Sequence, residues 1–185
     1  MALGKDYAGQ DCSLARALEV VGERWTLLVL RDCFFGVRRF TDLQAHLDIS
    51  RAVLAARLAD LVTAGLLERH EYRPGRHEYR VTAEAMALWP ALFALSQWGE
   101  RYRAPDGPRR LFVHAGCGTR VDETGRCPVC ATRPGADDLE IHPGPAMSFR
   151  RTDPVSRALR RPHRLLTPLP PSPSDDHAAQ DLLLP

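Results

Sequence analysis

Apolar residues recur at helical spacing over residues 13–31, 40–47 and 51–64. Two alternating segments flank Pro74-Gly75, and a long apolar helical pattern follows Thr82. These observations predict an α+β, mainly α, fold. The order helix, helix, turn, helix, hairpin, helix is the plan of a winged helix-turn-helix domain, placed at residues 11–103. Two stretches follow it: an accessory Cys/His ribbon-like extension at 109–135, and a basic, Pro-rich tail at 150–185 that is expected to be disordered.

Each element has its own signals. In 13–31, Leu14, Leu18, Val21, Trp25, Leu28 and Val29 recur at steps of three and four, with Ser13 as a candidate cap. The second helix puts Phe40, Leu43 and Leu47 on one side, and Asp48-Ile49-Ser50 makes the turn. Ser50 can accept a hydrogen bond from the amides that open the third helix. That helix, 51–64, stops at Gly65, a natural residue just past a helix end. The run LLERHEY and the run HEYRVT alternate as strands around the turn at Pro74-Gly75. Thr82 caps the last helix, where Leu88, Leu92, Leu95, Trp98 and Tyr102 form one stripe. Pro90 must bend this helix or mark a late start.

Composition bounds the function. Hydrophobic content of 44% and charged content of 26% are those of a soluble globular protein. No apolar run is long enough to span a bilayer, and no basic-then-apolar leader opens the chain. A cytoplasmic location without membrane attachment is expected, where thiols are kept reduced. Lys5 is the only lysine among 25 basic residues, so phosphate contacts would be arginine contacts. No Ser-His-Asp set, phosphate-binding glycine loop or carboxylate pair argues for an enzyme.

The segment HAGCGTRVDETGRCPVC contains His114-x2-Cys117 and Cys127-x2-Cys130. Two x2 pairs joined by a short polar turn have the spacing of a closed, structural Zn²⁺ site. The competing reading takes CPVC as a thioredoxin-like redox pair, but that needs a helix opening at the first cysteine, and Arg133-Pro134-Gly135 follows too soon. Cys33 follows an apolar helix and reads as a small core residue. His46, His70, His77 and His142 have no partner spacing.

A winged helix-turn-helix reads duplex DNA with its second helix in the major groove. On 51–64 the outward positions near the start are Arg51, Ala52, Ala55 and Ala56, with Arg57 beyond. Arg51 suits a bidentate contact to guanine, and the alanines allow close backbone approach. Ser50 and Thr41, near helix starts, suit phosphates. Arg38 and Arg39 could clamp the backbone, and Arg73 and Arg76 at the hairpin tip suit phosphates or the minor groove. The stripe from Leu88 to Tyr102 either packs on the first helix within one chain or builds a two-fold homodimer that spaces two recognition helices on the operator.

Several strings carry a resemblance beyond these patterns. They are Gly22-Glu23-Arg24-Trp25-Thr26-Leu27-Leu28-Val29-Leu30-Arg31 after Cys12, Arg39-Phe40-Thr41-Asp42-Leu43, Ile49-Ser50, Leu54-Ala55-Ala56-Arg57-Leu58, Ala64-Gly65-Leu66-Leu67-Glu68-Arg69, Glu78-Tyr79-Arg80-Val81-Thr82 and Trp98-Gly99-Glu100-Arg101-Tyr102. In this order the chain resembles the HxlR-type branch of the MarR-like winged-helix transcription regulators. The resemblance implies a dimer that binds double-stranded DNA through paired helix-turn-helix units and often responds to oxidants or electrophiles through a cysteine near the N-terminus; a repressor is the expected role. Cys12 occupies that position, beside a helix start whose dipole favours the reactive thiolate. The Cys/His segment resembles a zinc-ribbon-like addition found on some members. A winged helix that docks on a protein instead of DNA is the alternative function.

Overall fold

A computed structural model describes residues 7 and 9–170 of the chain. The first helix is in fact two, α1 (Ser13–Val21) and α2 (Thr26–Phe34), parted at Gly22. This corrects the single helix expected over 13–31. Glycine costs a helix interior about 1 kcal/mol, and the break lets the two halves bury different faces. α2 sinks Val29, Leu30, Cys33 and Phe34 into the core, whereas α1 buries only Ala15. Leu14, Leu18 and Val20 stay exposed.

The helix-turn-helix follows as α3 (Phe40–Leu47) and α4 (Arg51–Thr63). Asp48 takes a left-handed conformation at φ 53 to close α3, and the Ser50 side chain accepts from the Val53 amide at 3.3 Å. Leu43, Leu54, Leu58 and Leu61 are almost wholly buried between the two helices and α2. The wing is β1 (Leu67–Arg73) antiparallel to β2 (Arg76–Val81), with Leu67 opposite Val81 and a bulge between Glu71 and Arg73. Thr82 caps a short α5 (Ala83–Met86), its side chain accepting from Ala85 N at 3.2 Å. Pro90 lies in the first turn of α6 (Trp89–Arg103). It marks a late start, where its missing N–H costs nothing.

Beyond α6 the chain builds a four-stranded antiparallel sheet in the order β4-β3-β5-β6. Its strands are β3 (Arg110–His114), β4 (Thr119–Arg120), β5 (Leu139–Pro143) and β6 (His163–Arg164). The extension is not an accessory lobe. Phe112 on β3 packs with its ring centroid 5.6 Å from Trp89 and 5.2 Å from Phe93, and Trp89 lies 5.1 Å from Phe34. These contacts join α2, α6 and the sheet in one core.

The tail is also corrected as far as residue 170; the remaining part of the expected disorder, 171–185, lies outside the described residues. Residues 150–170 fold back on the helix-turn-helix through α7 (Pro154–Ala158) and β6. Asp153 caps α7 by accepting from Ser156 N at 2.9 Å, and Arg151 Nη2 donates to the Ala45 carbonyl on α3 at 2.8 Å. Val155, Leu159 and Leu165 are buried. The strap after β6 is bonded to the α2–α3 connection: Leu166 N to Phe34 O at 2.7 Å, Arg38 Nη2 to Leu166 O at 2.9 Å, and Leu169 N to Gly36 O at 3.1 Å. Gly36 has φ 84, and a Cβ there would overlap the Thr167 carbonyl. A few apolar residues among arginines suffice to order this segment because they fill a surface that the rest of the fold already presents.

One ionised group is wholly buried in this core. Asp32 accepts from Arg31 Nη2 at 2.7 Å, and its Oδ2 lies 2.7 Å from His46 Nδ1. Burial alone would raise its pKa, but Arg31 and His46 outweigh burial and hold it below the usual carboxylate range.

Because Phe112 belongs to the common core, Phe112→Ala should cost about 3–5 kcal/mol of stability. Urea unfolding should still show one transition, with helix and sheet signals lost together; separate transitions would contradict the shared core.

Candidate nucleic-acid interface and metal centre

The turn between α3 and α4 directs the start of α4 outward, and the wing curls beside it. Between them lies a cleft of about 440 Å³. Arg39 from the connection before α3, Arg51 on α4, Arg69 on β1 and Arg76 on β2 reach it, with Phe40 and Tyr72 as apolar walls. The arginines are held in place: the Arg51 guanidinium lies 5.1 Å from the Phe40 ring centroid, and that of Arg39 lies 4.9 Å from Tyr72. Stacking on a ring fixes a guanidinium while leaving its edge donors open for phosphate or base. Thr41 lines the same cleft, while Ser50, Ala52 and Ala55 are exposed along the start of α4.

Not every expected contact residue lies there. Arg57 is turned back and paired with Glu23 at 3.4 Å and Asp60 at 3.1 Å. Arg38 faces the C-terminal strap and Glu78, and partial burial lowers its pKa. Both have partners within the protein. Arg73 is exposed at the hairpin tip opposite Arg76. Arg69 is the cleft residue that the sequence reading passed over. The bulge between Glu71 and Arg73 breaks the alternation of LERHEYR, so the strand pattern alone does not bring Arg69 and Tyr72 to the same cleft.

The second cluster is at the far end of β3. The donor atoms of His114, Cys117, Cys127 and Cys130 all lie within 4.8 Å of one another, so the set could hold a metal ion. Cys117 Sγ is 3.3 Å from His114 Nδ1 and 3.5 Å from Cys127 Sγ. A tetrahedral ion with arms of about 2.3 Å to sulfur needs donors roughly 3.8 Å apart, and these residues fit it. His114 Nε2 bonds Asp138 Oδ2 at 2.8 Å, which turns Nδ1 toward the thiols. Asp138 was invisible as a partner until β5 paired with β3. The residues after Cys117 and Cys130 are both left-handed, Gly118 at φ 69 and Ala131 at φ 57. Ala131 accepts the strained conformation that glycine would adopt freely.

Charge is distributed unevenly in the cluster. Hydrogen bonds from Thr119 bring the Cys117 thiol down to about 6, and the Cys130 amide lowers Cys127. Facing Cys117 and Cys127 pushes Cys130 up to about 11, while bonds to Cys127 and Asp138 raise His114 to about 9. Three thiols this close cannot all ionise side by side unless a cation joins them.

Cys12 and Cys33 stand apart. Cys33 is buried, its thiol pKa raised by burial, and belongs to the core as expected. Cys12 is exposed and unbridged at the start of α1. Close to it in the chain are the exposed Leu14 and Leu18, while Leu95, Trp98 and Tyr102 form an exposed apolar stripe on α6. No helix among the described residues is long and apolar enough to cross a membrane.

The three-helix core, wing and arginine-lined cleft define the class: a winged helix-turn-helix protein carrying a Cys/His cluster. The HxlR-like helix-turn-helix family matches residues 20–106. The Uncharacterized HTH-type transcriptional regulator Rv3095 of Mycobacterium tuberculosis is 46% identical over 141 residues, which cover 75% of this chain and 89% of that protein. YdeP of Bacillus subtilis, another HTH-type transcriptional regulator, is 28% identical over 55% of this chain and 84% of its own length. The crystal structure of PA1607, a candidate transcription factor, is similar with a TM-score of 0.57 and 36% identity, covering 69% of this chain and 92% of that one. The chain belongs to the HxlR-like helix-turn-helix family.

Proposed function

We propose that this chain is a homodimeric transcription regulator of the cytoplasm that binds double-stranded operator DNA sequence-specifically and acts as a repressor. The observation that carries the reading is the convergence of Arg39, Arg51, Arg69 and Arg76 between the start of α4 and the wing. Arginines on the recognition helix and the wing together suit one groove and its flanking phosphates. Arg51 reads a base edge, and Ala52 and Ala55 let α4 sit deep in the groove. Ser50, Thr41, Arg39, Arg73 and Arg76 contact the backbone. Arg38 and Arg57 act through the elements they tie, not through DNA. Dimerisation is supported by the apolar α6 stripe, where Trp98 and Tyr102 are 51% and 55% exposed, together with Leu14 and Leu18 on α1.

The Cys/His cluster is proposed as a structural Zn²⁺ site. Zinc would join β3 and β4 to the Cys127–Cys130 turn, with His114, Cys117, Cys127 and Cys130 as ligands and Asp138 orienting His114. Four protein ligands close the coordination sphere and leave no position for a reacting group. Cys12 is proposed as the thiol through which oxidants or electrophiles act.

Binding to fragments selected from genomic DNA tests the central reading. Arg51→Ala should cost roughly 1–3 kcal/mol and relax preference at one base position, and uniform weakening on all sequences would reassign Arg51 to phosphate. Arg76→Ala should lower the salt slope of binding by about one unit. Absence of any sequence-preferred duplex, with dimers still formed, would favour docking on a protein. Metal analysis of protein purified without chelators should return about one equivalent of zinc, and chelation should destabilise the fold; less than about half an equivalent rejects the site. Diamide should release DNA from the native chain and leave Cys12→Ser bound. Equal release of both would remove Cys12 as the switch.

A further inference from the structure

Residues 150–170 hold six arginines and a single carboxylate, Asp153, and all lie beyond the residues that match the family. None of the cleft, dimer or metal roles uses them. Three of the arginines are tied within the protein. Arg151 bonds Asp153 at 3.1 Å and the Ala45 carbonyl at 2.8 Å. Arg160 bonds the carbonyls of Phe149 and Arg151 at 2.8 Å, and Arg164 bonds that of Asp137 at 3.0 Å. Arg150, Arg157 and Arg161 are exposed, and among the described residues their side chains have no hydrogen-bond or ion-pair partner.

Helical periodicity places this charge beside the surface that faces the cleft. At about 3.6 residues per turn, Asp42 and His46 share one flank of α3, and Thr41 and Ala45 share the next. The strap covers the first flank: α7 packs on α3, and Asp42 shares a small cavity with Val155 and Leu169. Thr41 and Ala45 stay exposed, and Thr41 reaches the arginine-lined cleft. The exposed carboxylate on this side of α3 is Asp48, at its end. The open ridge of α3 is thus bordered by the cleft on one side and by the arginine-bearing strap on the other. In a helix-turn-helix the first helix crosses the sugar-phosphate backbone. A backbone lying over this ridge would meet the strap as it leaves the cleft.

The strap is also ordered. Asp153 caps α7, and Val155 and Leu159 are buried beneath it, so Arg157 stands on a fixed element. Binding through such an element costs less ordering entropy than binding through a free tail. We propose that the strap is a second phosphate-binding surface. Arg150, Arg157 and Arg161 engage the backbone of duplex DNA that flanks the segment held between α4 and the wing, and lengthen the site each chain covers. Contacts of this kind add charge neutralisation without base information. The inference rests on the reading of the chain as a DNA-binding regulator.

The test uses the full-length chain and a duplex it prefers among genomic fragments. One form is trimmed to the base pairs whose change weakens binding, and the other is extended by about one turn of DNA on each side. Affinity is measured across a range of salt. The native chain should bind the extended duplex more tightly than the trimmed one. The triple variant Arg150→Gln, Arg157→Gln, Arg161→Gln should lose that gain, with a salt slope lower by about two to three units for each chain engaged. Both proteins should bind the trimmed duplex alike and melt at the same temperature. Lysine at the three positions should restore most of the gain, because a phosphate accepts a point charge. The proposal is overturned by an unchanged slope on the extended duplex, by an equal loss on the trimmed duplex, by a lowered melting temperature in the glutamine variant, or by a lysine variant no better than glutamine. A native chain that binds the trimmed duplex and gains nothing from extension overturns the strap surface alone. A native chain that prefers no duplex overturns the regulator reading together with it.

Discussion

The packing of Phe112 against Trp89 and Phe93, with Phe34 behind, is the contact on which the remaining architecture depends. It brings β3 onto the same apolar surface that α2 and α6 use to support the helix-turn-helix. Once β3 is seated there, β5 pairs along its length and β4 turns back from its end. The four-residue Cys/His cluster then forms at that end. The chain therefore has one core shared by the helix-turn-helix and the C-terminal sheet.

A second tie runs along the opposite edge of the sheet. Asp138 faces His114 of the cluster and also bonds Arg164 on β6 at 3.3 Å. From β6 the strap continues to the Phe34, Gly36 and Arg38 connection that leads into α3. The same short connection positions Arg39, whose guanidinium stacks on the wing at Tyr72. Elements distant in sequence thus meet at the base of the proposed DNA-binding cleft. The strap restrains the entry to α3 mainly by backbone hydrogen bonds, which depend little on side-chain identity and so leave no mark in composition.

The electrostatics divide along similar lines. In the cleft between α4 and the wing, Arg39 and Arg51 rest on aromatic faces, where a polyanion could neutralise them. Between α2, α6 and β3, Arg31 and Arg110 are half-buried and Arg103 and Arg109 exposed, with Asp32 and Glu100 already hydrogen-bonded. The cluster of thiols poses another charge problem, one that a bound cation would solve.

Local patterning in the sequence was enough for α3, α4, the wing and their order, because each declares itself through cap residues, turn residues and apolar period. The four candidate metal ligands were equally plain, since knuckle spacing is a local property. Gly22 was local too, yet its effect depended on which faces of α1 and α2 had something to pack against. Only the tertiary structure showed that Arg38 and Arg57 have partners within the protein and that Arg69 lines the cleft. It alone made residues 150–170 an ordered strap, because a few apolar side chains can be ordered by a surface that others provide. Spacing along the chain fixes which residues share a face; what that face meets is settled by contacts between distant segments, and there the aromatic rings and the strap determine the outcome.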